Sequence, residues 1–300
     1  MSWRGFDYKW LEALDAVITQ GGFDTAAQFL CLSQSAVSQR IKQLELWLSQ
    51  PVVVRTQPPE ATAAGQQLLS FYHQVGLLEQ DVLPNLIGIE QRQVVSLSLA
   101  TNADSLATWL MPALQPILSA GKVALNLLVS DESHTLEKLR SGQVAGAISL
   151  QSDALSGCIA EYLGKMNYVC VATPTFFEQY FSEGLNAQTV IEAPAVVFDQ
   201  YDRLHQDFLS YYFHTDRRPL VEHKVASSEA FVKLALAGVA YCLIPKLQIE
   251  TELATGQLVE IDPERRWQRK LYWHHWHMET RGLKAISVAI KNHSAKVLSQ

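Results

Sequence analysis

The hydrophobic periodicity of this chain changes once, near Val94, and that change constrains its fold more than any other feature. Before it, apolar side chains recur at helical spacing. After it, Val94 to Ala100, Val123 to Val129 and Ala145 to Leu150 read as buried strands, separated by helical stretches near 105–118 and 134–141. Further strands are predicted at 168–172, 195–198, 221–226, 239–244 and 258–261, again interleaved with helices. Such alternation points to mostly parallel sheets covered on both faces. The expected fold class is an all-α head followed by α/β layers, and 300 residues suffice for two or three domains.

The head carries three helical patterns. Phe6, Trp10, Leu11, Leu14, Val17 and Ile18 share one face, which Gly21 and Gly22 terminate. Phe23, Ala26, Ala27 and Leu30 then recur at i, i+3, i+4 and i+7. In the third pattern Val37, Ile41, Leu44 and Leu48 form the buried stripe. The opposite arc holds Ser35, Ser38, Gln39 and Lys42, with Gln34 at the opening turn and Arg40 to one side. These side chains can hydrogen-bond base edges and phosphates. A short Ala-rich helix, a tight turn and a polar-faced helix make the helix-turn-helix pattern, whose second helix enters the major groove. A generic three-helix bundle with a solvated face has the same periodicity, so spacing alone leaves both readings open.

Charge does not settle the choice. The chain has a net charge of −6, which argues against wholesale coating of nucleic acid. Within residues 1–60, Arg4, Lys9, Arg40, Lys42 and Arg55 are outnumbered by Asp7, Glu12, Asp15, Asp24, Glu45 and Glu60. A DNA-binding role must therefore rest on where the basic groups sit.

The run Ser33-Gln34-Ser35-Ala36-Val37-Ser38-Gln39-Arg40-Ile41-Lys42-Gln43-Leu44-Glu45 breaks the tie. Together with Leu14-Asp15-Ala16-Val17-Ile18 it resembles the LysR-type transcriptional regulators, and the resemblance extends over the full length. Asn102 to Leu110, Ser227 to Val232 and Leu271 to His274 resemble the branch of that family responsive to arginine and lysine. The resemblance implies that Gln34, Ser35, Ser38 and Gln39 face bases and nearby phosphates, while Arg40 and Lys42 grip the backbone. Phosphate contacts supply affinity, and base-edge contacts supply selectivity.

Residues 1–60 are expected to form a winged helix-turn-helix, with Pro51 to Arg55 a short strand and Gln57-Pro58-Pro59 a turn. Arg55 is a candidate phosphate or minor-groove contact. Glu60 and neutral residues stand where the family usually carries further basic groups, which weakens the wing's expected contribution. Residues 61–90 are expected to form a linker helix capped by Thr62, with Leu68, Tyr72, Val75, Leu78 and Val82 at near-heptad spacing and Pro84 at its end. Such a stripe can pack on its own chain or on a partner helix. The family implies the second: a homodimer, extending to a tetramer, that reads a pseudo-palindromic site in double-stranded DNA.

Residues 91–300 are then expected to form two lobes of periplasmic-binding-protein type, crossed twice by the chain. Lobe I takes about 91–164 and 269–300, lobe II about 165–268, and Leu283 to Leu298 is a closing helix. Ligands in such sheets sit at strand carboxyl ends, beside helix N-termini. The candidates there are Thr101, Asn102, Asp104 and Ser105, then Asp131 and Glu132, then Phe198 and Asp199, and finally Ser227, Ser228 and Glu229. Hydroxyls and helix amides suit an α-carboxylate, whereas the acidic groups suit a cationic group. Together they fit lysine or arginine as effector. For each of these residues, plain helix capping is the alternative.

Other signals are weaker. Trp273-His274-His275-Trp276-His277 offers at most two ligands on one strand face, so it reads as an edge strand with packing aromatics rather than a metal site. The four cysteines lie far apart without a CxxC pair, and neither an export signal nor a membrane span is evident. No nucleophile elbow, phosphate loop or HExxH occurs. The expectation is a cytoplasmic, non-enzymatic regulator without metal or cofactor, with RNA polymerase a further partner. The rival readings are an effector-independent binder of replication origins or the nucleoid, and a solute-binding protein or enzyme on the same two-lobed sheet.

Overall fold

Local capping explains where the head helices begin and end. The computed structural model describes residues 5–86, 94–130, 135–200 and 202–300. Helix α1 (Tyr8–Thr19) starts where the Asp7 carboxylate accepts from the Lys9 amide, and α2 (Phe23–Phe29) follows the Gly21-Gly22 break. Ser33 caps α3 (Gln34–Leu48) by accepting from the Ala36 amide, and Ser49 ends it in a left-handed conformation (φ 58°). Leu11, Leu14, Val17, Val37, Ile41 and Leu44 close the head core. Ala26 and Ala27 are buried between the helices, where larger side chains would hold them apart.

The wing is a two-stranded antiparallel ribbon, β1 (Val53–Val54) against β2 (Glu60–Ala61). The Glu45 carboxylate accepts from the Val52 amide at 3.0 Å and fixes α3 to it.

Thr62 starts the 24-residue helix α4 (Ala63–Leu86) by accepting from the Gly65 amide. Leu68 and Tyr72 of α4 pack on the head core, and Leu77 packs on the core of the following region. Phe71, Val82, Leu83 and Leu86 are left exposed. The stripe expected along this helix is thus shared between its own chain and an uncovered apolar face.

The remaining elements are β3 (Val95–Thr101), α5 (Ala103–Ser105), a π-helical turn (Leu106–Leu110), α6 (Met111–Ser119), β4 (Val123–Val129), α7 (Thr135–Arg140), β5 (Gly146–Ser149) and β6 (Cys158–Ala172). They are followed by α8 (Pro174–Tyr180), α9 (Thr189–Glu192), β7 (Ala195–Val197), α10 (Leu204–Phe213), β8 (Glu222–Lys224), α11 (Ser228–Leu236), β9 (Cys242–Pro245), α12 (Glu250–Ala254), β10 (Val259–Glu260), β11 (Trp267–Trp276) and α13 (Arg281–Val297).

The main sheet has the order β10-β6-β11-β5-β3-β4, with β9 also paired to β6. Strands β3, β4 and β5 are parallel, as are β7 and β8, whereas β6 and β11 pair antiparallel. The amide of Val196 donates to Tyr241 O and joins β7 to the strand leading into β9. The second lobe therefore assembles around the far half of β6. Both β6 and β11 run through the two lobes. Their register shifts between Leu271 and Tyr272, opposite Gly164.

This topology corrects the reading of Trp273 to His277 as an edge strand. Strand β11 lies in the sheet interior, between β5 and β6, and Trp273, His274, His275 and Trp276 are all buried. Its polar nitrogens made it look like an edge, but several of them find partners inside. Trp273 Nε1 donates to Ser287 Oγ, His274 Nε2 lies 2.7 Å from Gln151 O, and His275 sits between the Glu161 and Glu279 carboxylates.

Candidate DNA-reading helix and inter-lobe cleft

The outer arc of α3 is largely exposed. Gln34, Ser35, Gln39 and Lys42 are exposed, and Ser38 is half-buried. Gln34 Nε2 donates to Ser38 Oγ at 3.3 Å, and the Ser33 and Ser35 hydroxyls are 3.0 Å apart. These bonds are weak and solvent-facing, so they can be exchanged for bonds to base edges. Arg40 is placed differently. Its guanidinium pairs with Glu12 of α1 at 3.1 Å, a contact that spacing could not reveal. Arg55 is exposed at the end of β1, with its guanidinium 5.8 Å from the Phe23 ring centre, and so flanks α3 from the wing side.

Between the lobes lies a cavity of about 500 Å³. Four expected residues line it: Asn102, Asp104, Phe198 and Ser228. Asn102 caps the helix opening at Ala103 by accepting from the Ser105 amide. Asp104 is half-buried in the cavity wall, and its two carboxylate oxygens accept from Ser228 Oγ (2.6 Å) and Tyr168 Oη (2.7 Å). Burial raises the Asp104 pKa above the usual carboxylate range, while the two hydroxyl donors act in the opposite sense. Asp104 thereby ties lobe I to elements of lobe II across the base of the cleft.

Thr101 and Ser105 are buried beside this site without lining it, and Ser227 serves as the N-cap of α11. Glu229 is exposed, and neither it nor Asp199 lines the cavity. Asp131 and Glu132 lie outside the described residues.

The structure adds charged residues that the strand-end rule missed. Asp202, Arg203, Asp207 and Arg269 line the cavity together with Gln151 and Ser130. Asp202 holds the loop before α10 by accepting from the Phe198 and Leu204 amides. Asp207 lies 3.4 Å from Arg269 Nη1 and 3.8 Å from Arg203 Nε. Arg269 could have been found. Alternation along β11 places it on the same face as Trp267 and Leu271, an inward-pointing charge that has to meet a partner. Asp207 gave no such signal, because an acid in a first helical turn is ordinary.

Among the described residues no group of three or more His, Cys, Asp or Glu is arranged to hold a metal. None of the described helices is long and apolar enough to cross a membrane.

Two family models account for nearly the whole chain. Residues 8–66 match the bacterial regulatory helix-turn-helix protein of the lysR family, and residues 91–291 match the LysR substrate binding domain. The chain belongs to the LysR family. This LysR chain is 54% identical over 297 residues to the HTH-type transcriptional regulator ArgP of Vibrio vulnificus, covering 99% of the chain and 100% of its relative. Its structure matches the crystal structure of ArgP from Mycobacterium tuberculosis with a TM-score of 0.89 at 31% identity, covering 98% and 99% of the two chains. It also matches full-length LysG of Corynebacterium glutamicum with bound effector Arg, with a TM-score of 0.83 at 31% identity over 98% and 100%. The LysR chain is thus a transcription regulator with a helix-turn-helix head and two α/β regulatory lobes, and its relatives are regulators rather than enzymes.

Proposed function

We propose that a basic amino acid, arginine or lysine, bound between the lobes controls how this regulator engages DNA. The observation that carries this reading is the charge pattern of the cleft. Asp104 and Asp207 face a cavity that also holds Arg269, so cationic and anionic ends of one small molecule each meet a complement. Asn102 and the helix start behind it suit the α-carboxylate, Arg269 reinforces it, and Asp207 suits the ammonium or guanidinium. The related LysG structure with bound Arg supports the same class of effector.

On DNA, Gln34, Ser35, Ser38 and Gln39 read bases and adjacent phosphates, and Lys42 and Arg55 grip the backbone. Arg40 grips the backbone as well, from beside Glu12. The working division is a head over 1–60, a linker over 61–90 and a regulatory region over 91–300. The exposed Phe71, Val82, Leu83 and Leu86 supply a seam for a second α4, so the assembly is a homodimer that can pair further into a tetramer. The setting is the cytoplasm, with RNA polymerase the partner at promoters. Effector binding changes the angle between the lobes and hence the spacing of the paired heads.

Isothermal titration of the folded dimer with arginine and with lysine tests the effector assignment. Saturable heat with either is expected, and no heat with both removes it.

A further inference from the structure

Two polar clamps hold α4 against lobe I. His73 Nδ1 lies 2.8 Å from Gly142 O, and Arg281 Nε lies 2.9 Å from Asp81 Oδ1. Residues 73 and 81 are separated by about 12 Å along a helix. Between the clamps the surfaces do not close. A cavity of about 380 Å³ opens there, and it shares no lining residue with the inter-lobe cleft.

Its walls are unusual for a packing fault. Gly76 sits in the middle of α4, where glycine is destabilising relative to alanine. A Cβ at Gly76 would meet nothing within 4 Å, so close packing does not demand the glycine. Trp276 is 3% exposed and lines the same space, yet its indole N–H has no hydrogen-bond partner among the described residues. Leaving a buried donor unpaired is costly, and a bound acceptor would offset that cost. Ser96 and Ser98 add hydroxyls from β3.

The electrostatics favour a cation. Among the described residues Glu79 lines the cavity and no Lys or Arg does, while the imidazole of His73 is engaged by Asp15 at 2.7 Å. The Tyr8 and Tyr72 rings, 5.0 Å apart, line the cavity with Glu79, and aromatic rings attract cations. Burial, with the Glu79 charge second, pushes the Tyr8 hydroxyl up to about 12, so it remains a neutral donor.

We propose that this junction cavity is a second small-molecule site, taking an organic ammonium that also carries a hydrogen-bond acceptor, as a free amino acid does. The ammonium sits against Tyr8, Tyr72 and Glu79, and the acceptor sits on Trp276 Nε1 and Ser96. An occupant touches the reading head through Tyr8, the linker through Glu79 and lobe I through Trp276. It therefore stiffens the connection between sensor and head independently of the cleft.

Calorimetry on the full-length protein tests this, with L-lysine and its decarboxylated analogue cadaverine as probes. Wild type is expected to take up two equivalents of L-lysine per chain, and Asp207→Asn, which impairs the cleft, to retain one. Adding Gly76→Leu fills the cavity and should abolish the remaining event, with Gly76→Ala weakening it partially. In the Asp207→Asn background, Trp276→Phe should weaken L-lysine about tenfold, the equivalent of one charge-assisted bond, and leave cadaverine unchanged. Thermal melts monitor folding of each variant. Binding that survives Gly76→Leu undiminished, or absence of any second event with either probe at millimolar concentration, overturns the proposal. If Asp207→Asn leaves the wild-type isotherm unaltered, it is the cleft assignment that fails, and Gly76→Leu still decides the junction.

Discussion

His73 and Asp15 meet at 2.7 Å between Nε2 and Oδ1, although they lie 58 residues apart on α4 and α1. The other nitrogen of the same ring lies 2.8 Å from the Gly142 carbonyl of lobe I. The ring is held between a carboxylate of the head and a carbonyl of lobe I. One side chain thus joins the reading head, the linker and the regulatory region.

Replacing it should separate sensing from reading. For His73→Ala we expect unchanged effector affinity in the cleft but a several-fold smaller effect of arginine on operator affinity, since coupling of about 1–3 kcal/mol is typical of such links. Fluorescence anisotropy on labelled operator, with and without arginine, checks this. An undiminished arginine effect would show that the bridge is bypassed.

The close approach beneath that bridge gives a second test. Gly142 has φ +77°, and a Cβ there would lie 2.5 Å from the Ser70 Cα of α4. Gly121 has φ +66° with nothing within 4 Å of its Cβ. Gly142→Ala should raise hydrogen exchange along α4 around Ser70, whereas Gly121→Ala, which carries only backbone strain, should leave α4 unaffected. Equal exchange in the two variants would mean that the contact does not hold α4 in place.

On the reading helix, Gln34→Ala and Ser38→Ala should reduce discrimination between operator and mutated operator by about 1–3 kcal/mol per lost base contact. Lys42→Ala should instead lower affinity for all sequences and flatten the salt dependence of binding. Binding isotherms at several salt concentrations separate the two classes. Arg40→Ala carries a structural cost as well, because it leaves Glu12 without its partner.

Acid should destabilise lobe II through His205. The ring is buried, with Nε2 2.9 Å from Tyr241 Oη, which itself donates to Val190 O. The neutral Nε2–H form therefore completes the chain. Burial, with the Arg218 charge second, lowers its pKa from 6.5 to about 4. A depressed histidine pKa means that the unfolded chain binds the proton more readily. The stability is present above about pH 6.5 and is lost as pH falls toward 4, by about 3 kcal/mol in all. Melting curves between pH 7 and pH 4 measure it, and His205→Gln should remove that part of the slope.

The legible parts of this molecule were those set by local spacing. The stripe from Val37 to Leu48 fixed both the buried and the outward face of α3, and the change of period near Val94 marked the start of the α/β region. What could not be read were relationships across long separations. Asp104 looked like a free acid at a helix start, but its partners Tyr168 and Ser228 lie 64 and 124 residues away. Arg40 gave no sign that it also pairs with Glu12 of α1, 28 residues earlier. Strand β11 looked peripheral because indoles and imidazoles conceal a buried strand when their hydrogen-bond partners are not yet known.

The pairing of β6 with β11 limits what an effector can do. These strands form a two-ply ribbon, joined at ten positions from Trp267–Tyr168 to Trp276–Cys158, and the ribbon belongs to both lobes at once. Sliding one ply past the other would break every rung together. Torsion about the ribbon axis keeps all of them and spends only small dihedral changes, with the irregularity at Leu271 and Tyr272 the softest place to absorb them. Of the deformations open to this hinge, twisting is therefore the one that costs no rung of the ladder.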